Sequence, residues 1–439
     1  MRKLLIGLAV LMLLGGGMML MARRTDPGWS TDSAEARAAL ESGLAAQMKF
    51  YGYDARQGYQ RALELDPDFV APKVMMLLHS YQRQDREKLA EDLRQVDLTR
   101  LTERERFLVR YVLARQDDDA EEAKRIVSDY LEDHPDDPYA LTIAAARSWE
   151  ERDWERAEGY YRRLLEVDPN WVSAQNTLGY IAMAQGRFDE AEELFETYEF
   201  IAPDQANPHD SMGELLTVLG RYDEAAAALE TALEIKPDFC ASYEHLFALA
   251  TLAGEGVAYP EIVARAREHC GERMGEVMGC FAELWNDYLQ RNFDAPWRDD
   301  RKPCMKTYVR ESFLLHRLAV ATGREATALE LEELAAKRIE KGGMEAKMSE
   351  GFLLHMRGAR ALASGEYEEA VSYLKEADRL LLYWGQGRAI LKMFNQMNLA
   401  AALEGLGEAD QAEAVLDRVR KVNPQFAESY PAIRAELEG

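Results

Sequence analysis

The sequence predicts an all-α fold, a right-handed α-solenoid of helix-turn-helix hairpins preceded by one transmembrane helix. Prolines recur every 34 residues along part of the chain, and alanines keep the same step. They are Pro135, Pro169, Pro203 and Pro237, with Ala123, Ala157, Ala191 and Ala225. A period of this length is typical of stacked helical hairpins, because one hairpin cannot bury its own apolar face. An uncharged run at residues 4–22 predicts the transmembrane helix.

Two stretches carry the repeat motif most fully, LGYIAMAQGRFDEAEELFETYEFIAP (178–203) and MGELLTVLGRYDEAAAALETALEIKP (212–237). Glycine stands where the two helices of a hairpin approach closely, at Gly179 and Gly213, and again at the turn, at Gly186 and Gly220. Both stretches resemble tetratricopeptide repeats, and weaker copies of the motif cover most of the chain after residue 34. The resemblance implies a solenoid whose first helices line a concave groove that binds proteins or peptides.

Four segments follow from this pattern. They are a transmembrane signal anchor at 1–24, a repeat array at 34–253, a divergent helical insert and loop at 254–304, and C-terminal repeat-like hairpins at 305–437. The insert is recognised by prolines and charges at 293–304, where a second helix belongs. Two arrays joined by the insert are one interpretation. We expect one continuous body, since no Gly/Ser/Pro-rich linker separates the halves.

The N-terminal run is long enough to cross a bilayer. Residues 4–22 would form about 28 Å of helix, which is close to the hydrocarbon thickness. A cleavable signal peptide is the alternative, because Gly15, Gly16 and Gly17 weaken the helix. We expect an uncleaved anchor, since the sequence before Ala22 lacks the small residue that a cleavage site requires.

The short basic start predicts the orientation of this anchor. Arg2 and Lys3 precede the run, and such a start usually leaves the N-terminus in the cytoplasm. In a bacterium the protein would then be a single-pass protein of the inner membrane, with its repeats in the periplasm.

The cysteines fall within one region, at Cys240, Cys270, Cys280 and Cys304. Cys240 should open one helix and Cys270 should close the next, so antiparallel packing brings them to the same end. A disulfide between these two is predicted, as suits an oxidising compartment. Four unpaired, half-buried thiols are the alternative.

Charge and motifs exclude several classes of function. The chain has 53 basic and 78 acidic residues, a net charge of −25, which disfavours nucleic acid as a partner. No phosphate-binding loop, HExxH or GxSxG motif occurs, so no enzyme and no cofactor is indicated. No metal site is expected either, since CxxC is absent and His245 and His269 lack ligand spacing.

The register of the repeats, with the resemblance, gives the expected groove. Ten side chains should face it: Tyr139, Thr142, Trp149, Asn176, Tyr180, Met183, Asp210, Glu214, Thr217 and Glu244. Aromatic and methionine side chains with polar neighbours suit an extended peptide or a helix. We expect Tyr180 and Met183 to be partly exposed there. Alternatively, Trp149 and Tyr180 pack between hairpins.

The sequence therefore predicts a membrane-anchored scaffold that binds other proteins through its groove, in the assembly of envelope complexes. A ligand-sensing or regulatory module of a signalling system is the alternative. Residues 101–127 support it, because they resemble repeats appended to bacterial signalling proteins. An enzyme built on the 254–304 insert is the least favoured interpretation.

Overall fold

The computed structural model describes residues 28–79, 83–298, 304, 312–340, 344–384 and 388–438. Every regular element in these ranges is helical, as the sequence predicts. None of the described helices is both long and apolar enough to cross a bilayer. The predicted anchor at 4–22 lies outside the described residues.

The chain divides into two compact units between Ile143 and Ala144, a boundary that falls within the array predicted at 34–253. The first contains α1 (Ala34–Met48), α2 (Gly52–Leu65), α3 (Val70–His79), α4 (Arg83–Arg94), α5 (Glu103–Gln116) and α6 (Ala120–Asp133), and α7 (Pro138–Glu150) crosses the division. The second begins with α8 (Trp154–Val167), α9 (Val172–Ala184), α10 (Phe188–Ile201), α11 (Ala206–Val218), α12 (Tyr222–Ile235), α13 (Cys240–Leu252), α14 (Tyr259–Cys270) and α15 (Glu272–Leu289). It ends with α16 (Phe313–Ala321), α17 (Glu325–Ile339), α18 (Met344–Ala363), α19 (Tyr367–Leu380), α20 (Arg388–Gly405), α21 (Ala409–Val422), α22 (Pro424–Ala427) and α23 (Tyr430–Glu438).

The turn inside each hairpin requires a left-handed residue, and the 34-residue step places it. Positive φ angles recur at Asp118 (57°), Arg152 (60°), Gly186 (75°), Gly220 (75°) and Gly254 (72°). Glycine adopts this conformation freely, whereas aspartate and arginine adopt it at a cost. The repeat geometry therefore continues through hairpins that lack the glycine.

Close approach of the two helices of a hairpin explains the glycines at the other repeated position, Gly179 and Gly213. A Cβ atom built on Gly213 would lie 2.6 Å from Cγ of Leu229, and one built on Gly179 would overlap the Phe195 ring. A larger side chain at either position would force α9 from α10, or α11 from α12.

The region predicted as a divergent insert continues the helical packing: α14 completes the hairpin that α13 begins, α15 packs against α14, and a short 3-10 helix follows at Ala295–Trp297. Two disulfides brace it. One joins Cys240, at the start of α13, to Cys270, at the end of α14, with the Cα atoms 5.8 Å apart. The second joins Cys280 to Cys304, with the Cα atoms 5.6 Å apart, and was not anticipated from the sequence.

Helix α20 forms the centre of the second unit's C-terminal part. Its residues from Ala389 to Leu403 are all buried, although several are polar. Most of their polar groups are paired: Lys392 Nζ donates to the Asp378 carbonyl (2.6 Å), and Asn395 donates to the Leu374 carbonyl (2.9 Å), whereas Asn398 Nδ2 has no partner among the described residues. A helix buried on all sides is stable only when such groups are paired.

Candidate functional site

In the first unit, the expected groove at Tyr139 is covered by the chain's own leading segment, residues 28–33. The rings of Trp29 and Tyr139 meet edge to face, with centroids 5.4 Å apart, and the Arg104 guanidinium lies 4.9 Å from the Tyr139 ring. Ser30 donates from its amide (3.1 Å) and its hydroxyl (3.0 Å) to the Glu105 carboxylate. Thr142 donates to a carbonyl of its own helix. Trp29 therefore covers part of the Tyr139 ring, and Tyr139 and Thr142 are half-buried.

In the second unit, a different part of the chain covers the expected groove. Helix α19 is followed by a non-helical segment, residues 381–384, which we call the Trp384 segment. The Trp384 ring lies 4.8 Å from that of Trp149 and 6.1 Å from that of Tyr180, centroid to centroid. Arg152 Nη1 fixes the start of the segment by donating to the Leu380 carbonyl (3.0 Å). Trp149 and Tyr180 therefore contact the protein itself where a partner was expected.

The expectation that Met183 is partly exposed is wrong. Its side chain is 0% exposed and belongs to the same apolar core as Phe195 and Leu215. Helix α9 is buried along almost its whole length, from Val172 to Ala184. Only a narrow face of this helix, with the half-buried Ser173, Thr177 and Tyr180, is left partly uncovered, which the repeat register alone did not reveal.

Four of the polar residues expected in the groove are also buried. They are Asn176 of α9 and Asp210, Glu214 and Thr217 of α11. His245 joins two of them: Nδ1 lies 2.9 Å from Asp210 Oδ1, and Nε2 lies 3.2 Å from Glu214 Oε2. We call Asp210, Glu214 and His245 the His245 cluster.

A second chain of hydrogen bonds runs beside this cluster. The Tyr180 hydroxyl donates to Ser211 Oγ (3.1 Å), and Ser211 donates to Asn176 Oδ1 (2.8 Å). Ser242 donates to Asp210 Oδ1 (2.7 Å), so this carboxylate is shared between two partners. Together these bonds link the first helices of three successive hairpins.

The electrostatics of the His245 cluster favour a charged imidazole. Burial opposes that charge, but the carboxylates of Asp210 and Glu214 outweigh it and hold the pKa of His245 well above its usual value. Burial raises the pKa of Tyr180, and Glu214 and Asp210 raise it further. A buried imidazolium between two carboxylates stabilises the packing of the helices that carry them. Because His245 is buried, it is not placed to react with a substrate.

Sequence reasoning missed His245 as a member of this cluster. The signal was present: Asp210 and Glu214 are four residues apart on one face of α11, and His245 lies 34 residues after Ser211. Equivalent positions of neighbouring hairpins lie side by side, so an acidic pair should have been matched with a basic residue one repeat later. Among the described residues, no group of three or more His, Cys, Asp and Glu is arranged to hold a metal ion.

The exposed apolar side chains lie elsewhere. Val167 and Ile201 close α8 and α10 at equivalent repeat positions and are 40% and 39% exposed, and Phe200 beside them is 87% exposed. The two helices are neighbours, since Arg162 of α8 pairs with Glu190 of α10 at 2.8 Å. We call Val167, Phe200 and Ile201 the Phe200 ridge.

Comparison with known families agrees with the hairpin geometry. Residues 147–206 and 210–239 each match a family model described as tetratricopeptide repeat. The chain therefore carries tetratricopeptide repeats in its second unit, and repeats of this class generally bind protein partners. No curated protein matches the chain in sequence.

Three solved structures are similar to the chain. The APC/C hetero-tetramer Cut9–Hcn1 aligns over 92% of this chain and 73% of that one, with 13% identity and a TM-score of 0.47. Pseudomonas aeruginosa pilF aligns over 55% and 95%, with 13% identity and a TM-score of 0.32. A tetratricopeptide repeat protein from Parabacteroides merdae aligns over 61% and 98%, with 16% identity and a TM-score of 0.37. At these identities the likeness concerns the fold alone.

Proposed function

We propose that this protein is a scaffold that binds other proteins through the Phe200 ridge rather than through a concave groove. The observation that carries the proposal is the exposure of Phe200, 87%, beside the exposed Ile201, whose equivalent in the preceding hairpin is the exposed Val167. Single exposed apolar residues are ordinary, but adjacent ones with an aromatic at the centre are typical of interaction surfaces. The expected groove positions at Tyr139, Trp149 and Tyr180 are already occupied by the chain.

We further propose that residues 4–22 anchor the scaffold in the inner membrane, with the repeats in the periplasm and a role in assembling envelope complexes. The uncharged run supports the anchor. The pairing of Cys240 with Cys270, and of Cys280 with Cys304, supports an oxidising compartment.

Co-isolation from membranes tests the binding surface. Full-length protein carrying Phe200→Glu should lose the proteins that cross-link stoichiometrically to the wild type, because a charge at the centre of an apolar contact cannot be desolvated. Val257→Glu is the matched control, since Val257 is 93% exposed but lies in a turn away from the ridge. Undiminished capture by the Phe200→Glu protein would contradict the proposed surface.

The anchor and its orientation are tested separately. The mature protein should resist extraction by carbonate and should retain residues 4–22 in its mass. A mature N-terminus near Arg23 would refute the anchor. A reporter fused after Gly439 that is active only in the cytoplasm would refute the periplasmic placement.

A further inference from the structure

The second unit encloses a cavity of about 520 Å³. Helices α13, α15, α16, α17, α18 and α20 form it, together with the start of the Trp384 segment. Its apolar lining includes Phe247, Met274, Met278, Phe281, Phe313 and Phe352. A cavity of this volume falls in the range of sites that hold small molecules.

The lining is apolar yet incompletely packed. Phe247 and Met274, with Phe281 and Phe352, are only half-buried, although they point at one shared space. Protein interiors are normally packed as densely as organic crystals, so aromatic and methionine side chains around an open space lack contact partners. An apolar occupant would supply those contacts and remove the exposed apolar surface from water.

One polar atom on the wall also lacks a partner. Glu244 lines the cavity, and its Oε2 atom is buried with no hydrogen-bond partner among the described residues. Burial raises the pKa of Glu244, which the nearby His245 partly opposes. A buried carboxyl oxygen is normally hydrogen-bonded, so this acceptor is suited to a donor from outside the chain.

We propose that this cavity binds a small single-chain amphiphile, whose apolar body fills the space between α13 and α15 and whose head group donates a hydrogen bond to Glu244. The head group is a hydroxyl or a primary amine, because it must donate to Glu244 Oε2, which a carboxylate cannot do. The wall also carries Arg338 and Arg388, so a preference for an alcohol over a carboxylate must come from Glu244. This site is separate from the Phe200 ridge and does not depend on the proposed protein binding.

Photolabelling of the full-length protein in lipid nanodiscs tests the proposal. The probe is a ten-carbon primary alcohol that carries an alkyl diazirine, and mass spectrometry locates the label. We expect label in the peptides of α13 and α15, competed by excess 1-decanol. Decanoate should compete about tenfold less well, the factor that corresponds to one hydrogen bond. Label spread evenly over exposed helices, or equal competition by decanoate, would overturn the proposal.

Three variants sharpen the experiment. Ala248→Trp fills the cavity from its wall and should reduce the specific label at least about tenfold, whereas Ala227→Trp, on an exposed face of α12, should not. Glu244→Leu keeps an apolar wall but removes the acceptor, so 1-decanol and decanoate should then compete equally. Full labelling of a folded Ala248→Trp protein, or a preference for the alcohol that survives Glu244→Leu, would overturn the site.

Discussion

The two units close their expected grooves with the same kind of residue but with different chemistry. In the first unit, Trp29 contacts the Tyr139 ring and the Arg104 guanidinium, and its neighbour Ser30 donates to the Glu105 carboxylate. In the second, Trp384 contacts the rings of Trp149 and Tyr180 and the guanidinium of Arg388, 5.5 Å from its ring. Both closures therefore include an arginine, but the first adds the buried carboxylate of Glu105 and the second adds a second aromatic ring. The surface that a tetratricopeptide-type array offers to partners can thus be covered by other segments of the same chain, through different contacts.

Breaking the buried ion pair should have the largest effect. Arg104 Nε lies 2.8 Å from Asp137 Oδ2, and both side chains are almost fully buried. Arg104→Met would leave the carboxylate unpaired and should cost about 3–5 kcal/mol of unfolding free energy. Amide hydrogen exchange of peptides from the first unit measures this loss of unfolding free energy. Arg94→Met removes an exposed pair with Asp117 and should cost at most about 1 kcal/mol, and equal losses would refute the contrast.

Removing the aromatic closure should have a smaller effect, confined to the second unit. Trp384→Ala deletes the ring contacts with Trp149 and Tyr180 and should cost about 1–3 kcal/mol. Peptides containing Trp149 and Tyr180 should exchange faster, while those of the first unit should not change. Unaltered amide exchange in both of these peptides would show that the Trp384 segment does not cover this surface in solution.

The His245 cluster should make the second unit sensitive to alkaline pH. The pKa of His245 is raised above the value of about 6.5 that an unfolded histidine has. Its stabilising contribution is therefore complete below about pH 6.5 and is lost as the pH rises through the folded pKa. His316 and His355, whose pKa values burial lowers, change stability only below about pH 6.5 and with the opposite sign.

Urea unfolding measured at intervals above pH 6.5 isolates this effect. The wild type should lose stability over that range, and His245→Gln should lose less, because the proton is released by His245 itself. Parallel curves for the two proteins would show that the imidazole is neutral when folded. The two carboxylates would then be held by other groups.

The smallest effect concerns the left-handed turns. Asp118→Gly, in the first unit, should stabilise by about 0.5–1 kcal/mol, since relief of the positive φ exceeds the entropy cost of glycine. Arg152→Gly, at the equivalent turn of the second unit, relieves the same strain but removes the hydrogen bond to the Leu380 carbonyl. Differential scanning calorimetry should show a gain in melting temperature for Asp118→Gly alone. A gain for both would mean that Arg152 contributes nothing to the closure.

The features that recur with the 34-residue period were predicted well from the sequence. The left-handed turns at Gly186 and Gly220 and the close contacts at Gly179 and Gly213 follow from a fixed step and local sterics. Helices α14 and α15 escaped recognition because the turn between them, at Gly271, is out of step with the 34-residue period.

The burial of Met183 and Asp210 was missed for a different reason. Trp29 and Trp384 lie far in sequence from the rings that they cover, and neither belongs to the period. Register assigned Met183 and Asp210 to a face of α9 or α11, but only the folded chain determines what covers that face. The His245 cluster likewise depends on pairing between hairpins, which a single repeat does not encode.

The attachment of Trp29 to the first unit would also limit the distance between that unit and the membrane span proposed at 4–22. Only residues 23–27 separate the proposed span at 4–22 from the segment that begins at Gly28, and five residues reach at most about 18 Å even when fully stretched. The first unit would therefore be held close to the membrane by a short tether, in a thin layer of solvent above the lipid headgroups. In such a layer the acidic surface of the protein would face anionic lipid without adhering to it, so a partner would be met by diffusion in two dimensions rather than three.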